Sequence, residues 1–144
     1  MAITTNAIAS SFKKELLEGK HDFTASTGSA FKLAMYNSNA VLGKSTTSYT
    51  TGSEVTSPAG YTAGGKALVN TGTSVASSVA ITNFSNLSFT NVTLTARGSL
   101  IYNTSNSNTG VCVLDFGSDK TATAGTFTIQ FPAYTTSAAI LRIS

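Results

Sequence analysis

The residues able to do chemistry are few, and their neighbours decide against most of what they suggest. Gly60-Tyr61-Thr62-Ala63-Gly64-Gly65-Lys66 fits the G-x-x-x-x-G-K pattern of a phosphate-binding loop. Such a loop needs a Ser or Thr next to hold magnesium, a buried strand before it and a helix after it. Here Ala67 comes next, Ser57-Pro58-Ala59 comes before, and Ala67-Leu68-Val69 reads as strand. Val111-Cys112-Val113-Leu114-Asp115 imitates the apolar strand and aspartate of a second nucleotide motif. Together the two read as a glycine turn and a core strand. Asp115-Phe116-Gly117 spells the metal-binding tripeptide of protein kinases, but the chain is far too short and has no His-Arg-Asp loop. Asp115 reads instead as the start of a polar turn with Asp119, in which Gly117 permits positive φ. A calcium site would need more oxygen ligands at regular spacing than these two carboxylates.

There is one histidine, His21, and one cysteine, Cys112. They make no standard zinc ligand set. A Cys112–His21 nucleophilic pair is opposed by the apolar run around Cys112, because burial raises a thiol's pKa and makes it inert. Six acids leave little choice for the paired carboxylates of glycoside hydrolysis. The expectation is a protein that is not an enzyme, with no cofactor and no metal. A single cysteine also excludes an internal disulfide framework. Asn-x-Ser/Thr triplets begin at Asn83, Asn86, Asn91 and Asn103, and composition alone accounts for them.

A chain of 144 residues is the length of one domain. The expected organisation is a single domain, with an arm and helix over residues 1–20 and a β-sandwich over 21–144. Charged residues make up 10%, against about 25% in ordinary soluble domains. Hydroxyls take their place, with 20 Ser and 24 Thr. So few charges exclude a highly charged disordered tail and a coiled coil. No apolar run approaches the ~20 residues of a membrane-spanning helix. Residues 1–11 lack a basic region followed by an apolar stretch, so synthesis in the cytoplasm without secretion is expected. Net charge is +3, from scarce acids more than from abundant bases. Only Lys13, Lys14 and Lys20 cluster, which argues against nucleic acid as a partner.

A surface of Thr, Ser and Asn makes contacts that depend little on salt. Its short side chains lose little rotamer freedom on ordering. Both properties suit a protein held in a crowded, symmetric assembly. They also suit a carbohydrate-binding sandwich, although Trp is absent and the five Tyr are scattered along the chain.

The elements that would position these residues read as follows. Ile8, Phe12 and Leu16 recur every four residues, with Ala9 and Leu17 beside them, which predicts an N-terminal helix. Asn6 is the expected N-cap and Gly19 the C-terminal stop. The helix either packs over its own sheet or serves as a docking element for a partner. From residue 30 the period changes to two. Strands are expected over 30–36, 66–70, 74–82, 91–96, 98–102, 111–116, 126–131 and 138–143, with 111–116 central. Turns are expected at 37–39, 57–60, 103–110 and 117–125. The Thr/Ser run 45–53 reads as an exposed loop or a hairpin arm. This predicts a mainly β fold: an antiparallel β-sandwich or jelly roll with one short N-terminal α-helix, or else an up-and-down barrel.

Phe31-Lys32-Leu33-Ala34-Met35-Tyr36 leads into Ala40-Val41-Leu42-Gly43, Glu54-Val55 and Gly60-Tyr61-Thr62-Ala63-Gly64-Gly65. Arg97-Gly98-Ser99-Leu100-Ile101-Tyr102-Asn103, Val113-Leu114-Asp115-Phe116-Gly117 and Thr126-Phe127-Thr128-Ile129-Gln130-Phe131-Pro132 follow. In this order the phrases resemble a family of small virion structural proteins of tailed phages, including cyanophages and other marine phages. The likeness runs from the N-terminal helix to Ile143. By fold-level analogy the chain also resembles jelly-roll cement proteins that decorate phage capsids. The resemblance implies a capsid decoration protein on the virion surface. It would bind the major capsid protein on the assembled head and bridge its subunits, without catalytic residues. Self-association into a homodimer or homotrimer is expected, with no nucleic acid and no membrane as partner. Ile8, Phe12 and Leu16 are the expected partner contacts. The alternatives are a tail, neck or baseplate component of the same virion and a carbohydrate- or host-surface-binding module.

Overall fold

The computed structural model describes residues 3–56 and 60–144. Its elements are β1 (Ala7–Ile8), α1 (Ser10–Leu17), β2 (Phe31–Tyr36), β3 (Lys66–Ala67), β4 (Asn70–Ala76), β5 (Val79–Phe84), β6 (Leu87–Asn103), β7 (Thr109–Ile129) and β8 (Leu141–Ile143). The strands divide into two antiparallel sheets. The larger has the order β1-β7-β6-β2-β3 and the smaller β4-β5-β8. The chain is therefore a mainly β sandwich with one short helix, and not an up-and-down barrel.

Period-two patterning builds the interior. Phe31, Leu33 and Met35 of β2 join Val92, Leu94 and Ile101 of β6, Val111 of β7, Phe84 of β5 and Leu141 of β8 in one buried cluster. Aromatic rings run through it in series: Phe23 stacks on Phe31 at 4.7 Å, Phe31 meets Phe84 at 5.6 Å, and Phe84 meets Phe131 at 5.7 Å. Each such pair adds about 0.5–1.5 kcal/mol beyond its area burial.

The other face of the larger sheet is covered as well. Ala34, Tyr36, Leu100, Tyr102 and Val113 are buried there in a second cluster with Ile3, Ala40 and Leu42. The covering layer is the arm before β1 and the loop after β2. That loop includes the mostly exposed 45–53 run, which bridges β7 at Ser48–Thr109.

Several turn and strand assignments are corrected. Residues 74–82 are not one strand but the β4–β5 hairpin, closed by Ser77 and Ser78 at φ +50° and +63°. A two-residue hairpin needs positive φ, and Ser-Ser carries none of the usual Asn-Gly signal. The expected strands 91–96 and 98–102 fuse into β6. The segment 117–125 is not a turn either, for it continues β7 beside β6. Its glycines and polar residues serve bulges instead. Gly98 pairs with Asp115 and Ala96 with Lys120, so residues 116–119 stand opposite Arg97 alone. Asp115 accepts hydrogen bonds from the Gly117 N–H at 2.8 Å and the Arg97 Nε–H at 3.2 Å, tying the bulge at its base. A second bulge leaves Ala124 at φ +45°, its N–H donating to Thr93 Oγ1 at 2.9 Å. Bulges add residues without ending the ladder, so locally they carry turn chemistry. The strand expected over 66–70 is divided between β3 and β4, and the one over 138–143 shortens to β8. Strand β7 is central only at Cys112–Val113, where β1 pairs with it.

The nucleotide-like glycines have a packing cause. A Cβ on Gly65 would lie 1.8 Å from the Leu33 carbonyl oxygen, and one on Gly60 would lie 2.7 Å from that of Asn91. The first holds β3 against β2, and the second seats the loop on the β6 bulge at Asn91. Lys66 turns away to donate to the Ser88 carbonyl at 2.6 Å. The residues 57–59 of the expected 57–60 turn lie outside the described residues.

Candidate interaction surface

The helix α1 begins later than its periodicity suggests. Ile8 belongs to β1, where it pairs with Cys112, and Ala9 is the N-cap, with no side-chain capping bond. Asn6 does not cap the helix; its Oδ1 accepts the Asp115 N–H at 2.7 Å. Strand pairing with a residue a hundred positions away overrides the local helical spacing here. The C-terminus follows the expectation. Gly19 at φ +71° donates to the Leu16 carbonyl, and the Lys20 N–H donates to that of Glu15. These are the two bonds of a Schellman motif.

The helix is latched to the sandwich by His21. The Asn103 Oδ1 accepts the Ser105 N–H, which fixes the amide so that its Nδ2 donates to His21 Nδ1 at 2.9 Å. The imidazole proton is thereby assigned to Nε2, which donates to Glu15 Oε2 at 2.7 Å. Phe12 lies against this ring at 4.8 Å and edge-on to Phe23 at 6.0 Å. His21 is thus a structural latch. Cys112 is buried, and burial pushes its thiol up to about 12.

The expected contact residues Ile8, Phe12 and Leu16 do come together. They line a groove of about 370 Å³ between α1 and the β5–β8 edge of the smaller sheet. Their roles differ from the expectation. Phe12 is 3% exposed and belongs to the core, Leu16 is half-buried on it, and Ile8 is 38% exposed. The sequence reading missed the residues that complete the surface. Leu17 is 92% exposed and Ile143 58% exposed, and both face the same groove. Ile81 and Leu141 add buried apolar wall, while Lys13 and Arg142 are its cations. The only local signal for the β8 contribution is the alternation Leu141-Arg142-Ile143.

A second concavity, a trough of about 830 Å³, follows β7. Lining residues 120–123 and 125–132 are consecutive, so the trough borders the strand's edge and not one face of the sheet.

Tyrosines expected to be scattered converge elsewhere. Glu54 is buried, and its carboxylate accepts from Tyr49 Oη at 2.5 Å, Tyr61 Oη at 2.7 Å and the Gly64 N–H at 2.6 Å. Tyr61 in turn accepts the Met35 N–H at 2.9 Å. Tyr102 donates to the Gly64 carbonyl and stacks on Tyr49 at 4.8 Å. Tyr36 donates to the Thr50 carbonyl at 2.6 Å. Burial, then the Glu54 charge, holds the Tyr36 phenol far above its usual range. Tyr61 is raised likewise by burial and by its bond to Glu54. Four phenols are thereby kept as neutral donors that pin the loop following β2.

Comparison with protein-family models, with curated proteins and with solved structures gave no match, so the groove is read on its own geometry.

Proposed function

We propose that this protein is a capsid decoration protein of a tailed-phage virion. It sits on the outside of the assembled head and bridges neighbouring major capsid protein subunits, with the α1 groove as its attachment point. The observation that carries the reading is the exposure of Ile8, Leu17 and Ile143 around one apolar groove on a firmly latched scaffold. Contiguous apolar exposure of this kind marks an interaction site. Covering each of these side chains would contribute about 1.5–3 kcal/mol at most. A single attachment is therefore weak, and self-association into a homodimer or homotrimer gives the multivalency that a lattice rewards. The weakly charged Thr/Ser surface suits such permanent neighbours.

The carbohydrate-binding alternative has a narrower platform, because Tyr36, Tyr61 and Tyr102 are buried and Tyr49 is stacked inside the cage, which leaves Tyr134, 40% exposed, as the one Tyr on the surface. The test is copy number in virions separated into heads and tails. Near-stoichiometric amounts against the major capsid protein in heads are expected. A few copies in the tail fraction would replace the reading with a tail, neck or baseplate role, and absence from both would end it.

A further inference from the structure

The groove has a sign. Among the described residues that line it there is no Asp or Glu, yet Lys13 and Arg142 both do. The acids of α1 are engaged elsewhere: Glu15 with His21, and Glu18 with Lys14 and with Lys20. Lys14 and Lys20 hold the Glu18 carboxyl down at about 2. Lys13 and Arg142 have no carboxylate partner among the described residues. The Arg142 Nη1 donates to the Thr136 and Ser137 carbonyls at 3.4 and 3.0 Å, which steadies a guanidinium with donors to spare.

We infer that the groove takes an acidic amphipathic segment of a partner protein. Its apolar side chains would lie against Phe12, Leu16, Ile81 and Leu141, and its carboxylates would meet Lys13 and Arg142. This rests on reading the groove as the attachment point. Two uncompensated cations beside an apolar floor select for anionic, apolar chain and reject basic chain. The same charges disfavour a second copy as occupant. A two-fold contact through this patch would bring Lys13 and Arg142 of both copies together. Arg142 can engage a carboxylate bidentately, which would also fix the register of the bound segment.

The test uses the full ¹⁵N-labelled chain and three probes: a dodecapeptide of Leu interspersed with Glu, its analogue with Lys for Glu, and dodecanoate. The Glu peptide is expected to shift the amides of residues 13–17, 80–82 and 141–143, and the Lys peptide to leave them unmoved. The double variant Lys13→Glu with Arg142→Glu should bind the Glu peptide about tenfold or more weakly and bind the Lys peptide instead. Lys13→Glu alone, which leaves the Arg142 bonds intact, should show the smaller change in the same direction. Equal binding of both peptides, binding of dodecanoate alone, or no shift with any probe would overturn the inference. The capsid reading fails separately. Heads without the protein would sink that reading and leave the peptide result standing. Heads decorated equally by parent and double variant would sink the acidic segment alone.

Discussion

The Glu54 cage and the α1 groove invert each other. In the cage, polar atoms lie inside and the contacts of Glu54 are made within the chain: a carboxylate, two phenols and one amide close on one another. In the groove, apolar atoms lie outside, and Leu17 stands 92% exposed. The cage stabilises a loop that has little apolar content of its own. The groove leaves hydrophobic surface in water, which folding alone would not select. One region is complete within the monomer; the other, on the proposed reading, is half of a contact.

Substitutions can break that contrast or sharpen it. Glu54→Ala should have the largest effect on stability. It leaves the buried Tyr61 phenol, the half-buried Tyr49 phenol and the Gly64 amide without an acceptor, at roughly 1–3 kcal/mol each. A loss of about 3–6 kcal/mol in urea unfolding is expected, and less than about 1 kcal/mol would mean that the cage holds nothing. Phe12→Ala comes next, at about 3–5 kcal/mol, because Phe12 belongs to the core despite lining the groove. If it weakened partner binding without lowering stability, the boundary between core and contact would have to move. Gly65→Ala should cost about 1–3 kcal/mol or more by pushing β3 off β2, read as a lower thermal midpoint. Leu17→Ser with Ile143→Ser should change stability by less than about 0.5 kcal/mol and still abolish attachment to heads. A clear loss of stability in that pair would turn the groove into ordinary packing. Deleting residues 1–19 is a poorer test, since it removes Phe12 and the Glu15 partner of His21 together.

The contrast also separates what local sequence carries from what it does not. Phe31, Leu33 and Met35, or Phe127 and Ile129, announce a sandwich because period two is a short-range property. Gly19 announces the helix end for the same reason, since a left-handed residue is needed there. The start of the helix was not legible. Ile8 obeys helical spacing, but pairing with Cys112 claims it for a strand. Bulges at 116–119 and 123–124 use the residues that turns use, so β7 looked like two strands and a loop. The cage was illegible because Tyr36, Tyr49, Tyr61 and Tyr102 meet only after β2, β6 and the loop following β2 have folded. Of the candidate site, the α1 side could be read, while the β8 side depended on which sheet edge the C-terminal residues joined.

The bulge at 116–119 has a practical consequence. Ladder pairs at Gly98–Asp115 and Ala96–Lys120 fix the chain on both sides of it, and residues 117–119 between them are exposed. The strand already carries four residues there against one, so further length can loop outward without sliding the register of either flank. It is therefore a natural place to splice in a foreign peptide. On a particle carrying many copies, such a graft would be displayed as an ordered array.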